Sequence, residues 1–142
     1  MSVRKTFVKL LHAEMKKNEK VVLVLGDLGY GHFDAIREEF PDRVFNPGAA
    51  EQLLLGMACG MAMEGLIPVC YSMTPFLLYR PFEVIRTLSS DENSRITATV
   101  AGGRKSMSVA LGLAMQVYAR QQDELIHILV PQKKFNDMNW FY

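Results

Sequence analysis

Glu51 is the residue best placed to do chemistry. It follows the Pro47-Gly48 loop and opens a helix whose next eleven residues, QLLLGMACGMA, are nearly all apolar. A carboxylate in a first helical turn has two explanations. It can sit favourably on the helix dipole at a solvated end. Alternatively it can face an apolar cleft, where desolvation raises a carboxyl pKa until the group exchanges a proton near neutrality. Spacing alone does not choose. Two further segments could receive an anion. GDLGYG, residues 26–31, lacks the GK[ST] ending of a phosphate loop and the GxGxxG spacing, and a tight turn after a buried strand explains its glycines equally well. GGRKS, residues 102–106, could present backbone N–H groups, Arg104 and Lys105. The plainer reading is a helix entry with Ser106 as N-cap.

Other chemistries find little material. Cys59 and Cys70 both lie in apolar stretches, which suits small buried hydrophobes of a reducing compartment, and His12, His32 and His127 have no ligand spacing. We therefore expect no metal site in this chain. Sixteen Lys and Arg against fifteen Asp and Glu leave a net charge of +1, without the concentrated positive charge that nucleic acid or an anionic membrane requires. We expect neither partner. The opening MSVRKTFVKLLHAEMKKNEK lacks the apolar core of a signal peptide, and no uncharged run reaches the roughly 18 residues that span a bilayer. The expectation is a cytoplasmic protein.

The elements that must position Glu51 follow from periodicity. With 142 residues, 49% apolar and 22% charged, the chain suits a single domain over residues 1–142 with one core. Val3, Phe7, Leu10, Leu11 and Met15 recur at helical spacing. VVLVLG, residues 21–26, is a continuous Val-rich run of the kind covered on both faces of a parallel sheet. Helices at about 32–40, 50–64, 75–89 and 106–121 then alternate with strands at 43–45, 67–72, 96–101 and 125–130. This alternation predicts a three-layer, doubly wound α/β fold with a mainly parallel sheet and helices on both faces. Sites in such sheets lie at the carboxyl ends of the strands. Gly56 and Gly60 each cost about 1 kcal/mol in a helix, so they call for a packing reason, either a buried helix crossing or a subunit interface. The tail KKFNDMNWFY predicts a final short helix whose Trp140, Phe141 and Tyr142 mark a partner surface if nothing in the domain covers them.

Arg43 with Asn46-Pro47-Gly48-Ala49-Ala50-Glu51-Gln52, then Gly56, Ala58, Gly60, Ala62, Gly65 and Pro68, and then SMTPFL at residues 72–77, forms a pattern. It resembles the pyrimidine-binding domain of transketolase-like thiamine diphosphate enzymes, which reads R-x-x-(N/D)-x-G-I-A-E-Q, A-x-G-x-A-x-x-G-x-x-P and S-T-F. The likeness extends over about residues 21–100 and is densest between 43 and 86. It implies that Glu51 hydrogen-bonds the N1′ nitrogen of the aminopyrimidine, promoting the tautomer that removes the thiazolium C2 proton. It implies that Phe76 stacks on the pyrimidine, that Tyr79 lies near the ring, and that Asp27 and Leu28 line the cofactor. Glu51 and Phe76 each begin a helix after a strand at one sheet edge, so both can reach one flat heterocycle.

The family's diphosphate-binding domain, with its G-D-G and downstream asparagine, has no counterpart in this sequence. The resemblance therefore implies a separate subunit holding the diphosphate and Mg2+, within a homo- or hetero-oligomer. The implied activity is ketol transfer or decarboxylation of a 2-oxo acid by the assembled enzyme. The G-x-T-H segment of many relatives is also replaced, here by AGGRKSMS without a histidine. That departure supports an alternative, a non-catalytic relative assembling through helix 50–64 and the aromatic C-terminus.

Overall fold

The computed structural model describes residues 3–88, 90, 92–93, 95–99 and 105–126. At its centre is β1 (Val21–Leu25), VVLVL, with every residue buried. β-branched side chains are stiff at χ1 and fit a pleated surface covered on both sides, which is why this run makes a central strand. It pairs in parallel with β2 (Val44–Phe45) on one side and with β3 (Ile67–Tyr71) on the other, in the order β2-β1-β3. The register runs from Val21 opposite Ile67 to Leu25 opposite Tyr71.

Side-chain alternation divides β1 between two layers. Val21, Leu23 and Leu25 pack with Leu11 and Met15 of α1 (Val3–Lys17), with Phe33, and with Ile36 of α2 (Asp34–Glu39). Val22 and Val24 turn to the other face, where α3 (Glu51–Met63) packs on β3 and β1 and buries Leu54 and Ala58. Helices thus cover both faces of a parallel sheet, in agreement with the expected three-layer α/β class. Further along, β4 (Thr97–Thr99) and β5 (Glu124–Ile126) pair in parallel as a second, two-stranded sheet among the described residues. Between them runs α6 (Lys105–Tyr118).

Several elements differ from the periodicity. The helix expected at 75–89 is two, α4 (Thr74–Tyr79) and α5 (Phe82–Leu88), divided at Arg80-Pro81. Pro81 cannot donate to the helical ladder and its ring crowds the carbonyl four residues back, so one helix cannot continue through it. Arg43 belongs to a 3-10 turn, Pro41–Arg43, where its guanidinium stacks on Phe40 at 4.2 Å and donates to the Asn18 carbonyl at 3.2 Å. Ser106 stands inside α6 rather than ahead of it. The aromatic tail and Gly102–Arg104 of GGRKS lie outside the described residues. Among the described residues no helix is long and apolar enough to cross a membrane.

Among the described residues, nothing packs against the two helix glycines closely enough to explain them as an internal crossing. A Cβ built at Gly56 or at Gly60 meets nothing within 4 Å among the described residues. Nearby on α3, Leu53 and Met63 are exposed, so the apolar sequence of this helix exceeds what the described residues cover.

Candidate functional site

The carboxyl ends of β1, β2 and β3 form one edge of the sheet, and the loops leaving them are tied together. Asn46, leaving β2, accepts from the Gly48 N–H at 3.0 Å, closing the Pro-Gly turn that delivers the chain to α3. The same Asn46 side chain reaches Asp27 in the loop after β1. Its Oδ1 accepts from the Asp27 N–H at 3.2 Å and its Nδ2 donates to Asp27 Oδ1 at 3.3 Å. Tyr30 also donates its hydroxyl to the Asp27 carboxylate. These bonds hold Asp27 in the left-handed region, at φ 53°, which few non-glycine residues occupy without such local support. The hydrogen bond from Tyr30, then that from Asn46, keeps the Asp27 carboxyl below its ordinary range, and the same bond to Asp27 pushes the Tyr30 phenol up. Leu28 is partly buried in this loop. With Gly29 at φ 83° and Gly31 at φ 73°, GDLGYG is a turn around the buried Phe33 ring.

Glu51 is the first residue of α3, and the residue before it, Ala50, offers no side-chain cap. Its side chain is only 3% exposed. A carboxylate so placed needs a partner, because an unpaired buried charge is strongly destabilising. The partner is Arg80, which donates from Nη1 to Glu51 Oε2 at 2.7 Å. That hydrogen bond holds the Glu51 carboxyl below its ordinary range, outweighing the burial that pushes it up. The sequence raised the prospect of an elevated pKa from an apolar surrounding. Here the opposite holds, because a cation from a neighbouring helix end lies within hydrogen-bonding distance.

The Arg80 guanidinium also lies over the Phe76 ring, 4.1 Å from its centroid. Phe76 and Arg80 are four residues apart, the spacing that stacks side chains on one helix face. One planar group thus touches both the carboxylate of α3 and the phenyl face of α4. Beside it an open hollow of about 470 Å³ is lined by Ala49, Ala50, Glu51, Gln52, Leu53 and Arg80. Phe76 adjoins the hollow through Arg80. Tyr79 is 72% exposed on the last turn of α4 and is outside that lining.

Arg80 and Asn46 join the candidate site in places that the sequence pattern did not assign to them. The signal for Arg80 was F-x-x-x-R, an aromatic and a cation one helical turn apart. Burial, and then the neighbouring Cys59, pushes the Cys70 thiol up to about 12, and burial also raises Cys59.

The chain is similar to several known proteins. A family model described as CRISPR-associated protein NE0113 matches residues 75–142, less than half of the chain and beyond Glu51. A protein of Methanocaldococcus jannaschii described as a transketolase C-terminal section is 39% identical over 103 residues, covering 70% of this chain and 33% of that protein. The 1-deoxy-D-xylulose-5-phosphate synthase of Dehalococcoides mccartyi strain 195 is 37% identical over 86 residues, covering 60% of this chain and 13% of the enzyme. Among solved structures, a split-gene transketolase in an inactive beta4 tetramer superposes with a TM-score of 0.62 at 27% identity. That match covers 87% of this chain and 50% of the other. The chain thus spans a third or less of these two curated relatives and half of the solved one. Together these similarities support a transketolase-like family for the chain.

Proposed function

We propose that this chain binds the aminopyrimidine ring of thiamine diphosphate between Glu51 and Phe76, as the pyrimidine-binding subunit of a split transketolase-like enzyme. The observation that carries this reading is Arg80. A single flat group with N–H donors reaches Glu51 at 2.7 Å while stacked 4.1 Å over Phe76, so this pair of side chains can grip one planar, hydrogen-bonding ring. Transketolases and deoxyxylulose phosphate synthases are thiamine diphosphate enzymes, which supports the choice of ring.

When bound, thiamine diphosphate would supply a thiazolium carbon able to add to a carbonyl. The work of this chain is to bind and to move a proton. Glu51 Oε2, shielded from bulk water, would hold the proton at the ring nitrogen. Phe76 would give the ring its face, worth about 0.5–1.5 kcal/mol beyond buried area. Asp27, Leu28 and Tyr79 are proposed as flanking positions of the same cofactor. The diphosphate and Mg2+ would be held by a separate diphosphate-binding subunit, an arrangement supported by the split-gene relative. The reaction of the assembled, cytoplasmic enzyme would be ketol transfer or decarboxylation of a 2-oxo acid. Calorimetry with thiamine diphosphate and Mg2+, with and without a diphosphate-binding chain, tests the assignment. Heat of binding that depends on Glu51 and grows with the second chain is the expected result, and none in either arm rejects it.

One observation favours a second reading, a non-catalytic assembly protein. The exposed Leu53 and Met63 on α3, beside the open Gly56 and Gly60, leave an apolar surface that a neighbouring subunit could cover. In that case the protein self-associates and the calorimetric signal is absent.

A further inference from the structure

We propose that Arg80 is a gate on the ring site: in the ligand-free chain its guanidinium occupies the place between Glu51 and Phe76, and a ring enters only as that side chain swings out. The inference rests on the reading of Glu51 and Phe76 as the ring site. It goes further by naming what holds the site closed. A guanidinium is planar, stacks on aromatic faces and donates in a fixed fork, so it satisfies the same two groups that a flat aminopyrimidine would. Glu51 Oε2 at 2.7 Å and the Phe76 face at 4.1 Å are both engaged by it. One carboxylate edge and one ring face cannot serve two planar groups together, so occupancy is exclusive.

The motion required is small. Pro81 is fully buried and Arg80 itself has helical φ −69° and ψ −47°, which pins the backbone. The Arg80 side chain is 50% exposed, so outward rotamers lead directly to solvent. Closure also has a reason in the ligand-free fold. Without Arg80 the nearly inaccessible Glu51 carboxylate would lose the cation that balances it. An entering group must therefore replace both contacts at once, stacking on Phe76 and hydrogen-bonding Glu51. A flat ring lacking the hydrogen bond, or a polar group lacking the flat face, leaves one of them unmet.

A site that is open only a fraction of the time binds more weakly by that fraction. The test uses the full chain and thiamine as the probe, followed by NMR. In the ligand-free protein the Arg80 side-chain protons are expected at ring-current-shifted positions that vanish in Phe76→Leu. As thiamine is added to the wild type they move to solvent-like positions. Arg80→Leu is expected to bind thiamine about tenfold more tightly, corresponding to a gate closed about nine-tenths of the time, and Glu51→Gln to bind more weakly than the wild type. If the wild type binds with the Arg80 signals unmoved, or if folded Arg80→Leu binds no more tightly than the wild type, the ring site stands and the gate is overturned. If neither the wild type nor folded Arg80→Leu binds, the ring-site reading falls and the gate with it. Should Arg80→Leu not fold, the wild-type titration decides alone: movement of the Arg80 signals supports the gate, and unmoved signals or no binding overturn it.

Discussion

Gly26 and Ser72 meet across the carboxyl ends of β1 and β3 so closely that a Cβ on Gly26 would stand 2.7 Å from Ser72 Oγ and 2.9 Å from Ser72 Cβ. Leu54 of α3 closes the third side, with its Cδ1 at 3.1 Å from the same point. The backbone of β1 thus approaches β3 and α3 at the edge where the candidate site forms. Ser72 Oγ is itself buried without a hydrogen-bond partner among the described residues.

Gly26→Ala should therefore destabilise the fold by about 1–3 kcal/mol through overpacking, measured by urea unfolding. Adding Ser72→Ala should recover only part of this, because Ser72 Cβ remains in the way. Alone, Ser72→Ala should be neutral or slightly stabilising, since it removes a hydroxyl that makes no hydrogen bond. A Gly26→Ala protein as stable as the wild type would contradict the close approach.

Glu51→Gln keeps the size of the side chain and a hydrogen-bonding partner for Arg80 while removing the exchangeable carboxyl proton. The circular dichroism spectrum should be unchanged, and turnover by the assembled enzyme should fall by about 10² to 10⁴. An undiminished rate would remove Glu51 from the chemistry.

The Glu51 carboxyl titrates below its ordinary range because Arg80 bonds it. Its contribution to stability is thus present above the unfolded value of about 4.3 and is lost as pH falls through the folded value. Arg80→Leu should reverse the sign. Burial then dominates, raises the carboxyl and makes Glu51 a liability at neutral pH. The stability gap between variant and wild type should therefore be wide at about pH 7 and narrow as pH falls through the raised value. A gap independent of pH would show that Arg80 does not set the ionisation of Glu51.

Thiols held in the protonated form react slowly with alkylating agents. With Cys70 pushed up to about 12 and Cys59 also raised, both should label slowly in the native protein and fast in urea. Rapid native-state labelling of Cys70 by iodoacetamide at neutral pH would mean that its surroundings are not those described.

Much of the scaffold was legible beforehand, for identifiable reasons. VVLVL announces a strand buried on both faces, and Glu51 ahead of LLLGMACGMA announces a helix start, because both signals are short-range and written in consecutive residues. The break between α4 and α5 was equally local. Pro81 stated it, but the apolar periodicity on either side masked it. The turn within GDLGYG was expected from its glycines, whereas the reciprocal bonds of Asn46 with Asp27 join residues from two different loops and left no local trace.

By itself, the sequence determined where the chain turns helical or extended and that a carboxylate stands at the start of an apolar helix. Only the tertiary structure decided that Arg80, from the junction of two later helices, would reach that carboxylate and cover the Phe76 ring. The physical reason is range. Propensity and periodicity act over a few residues, whereas the ionisation of Glu51 depends on which distant side chain the packing of α3 against its neighbours brings within a hydrogen bond.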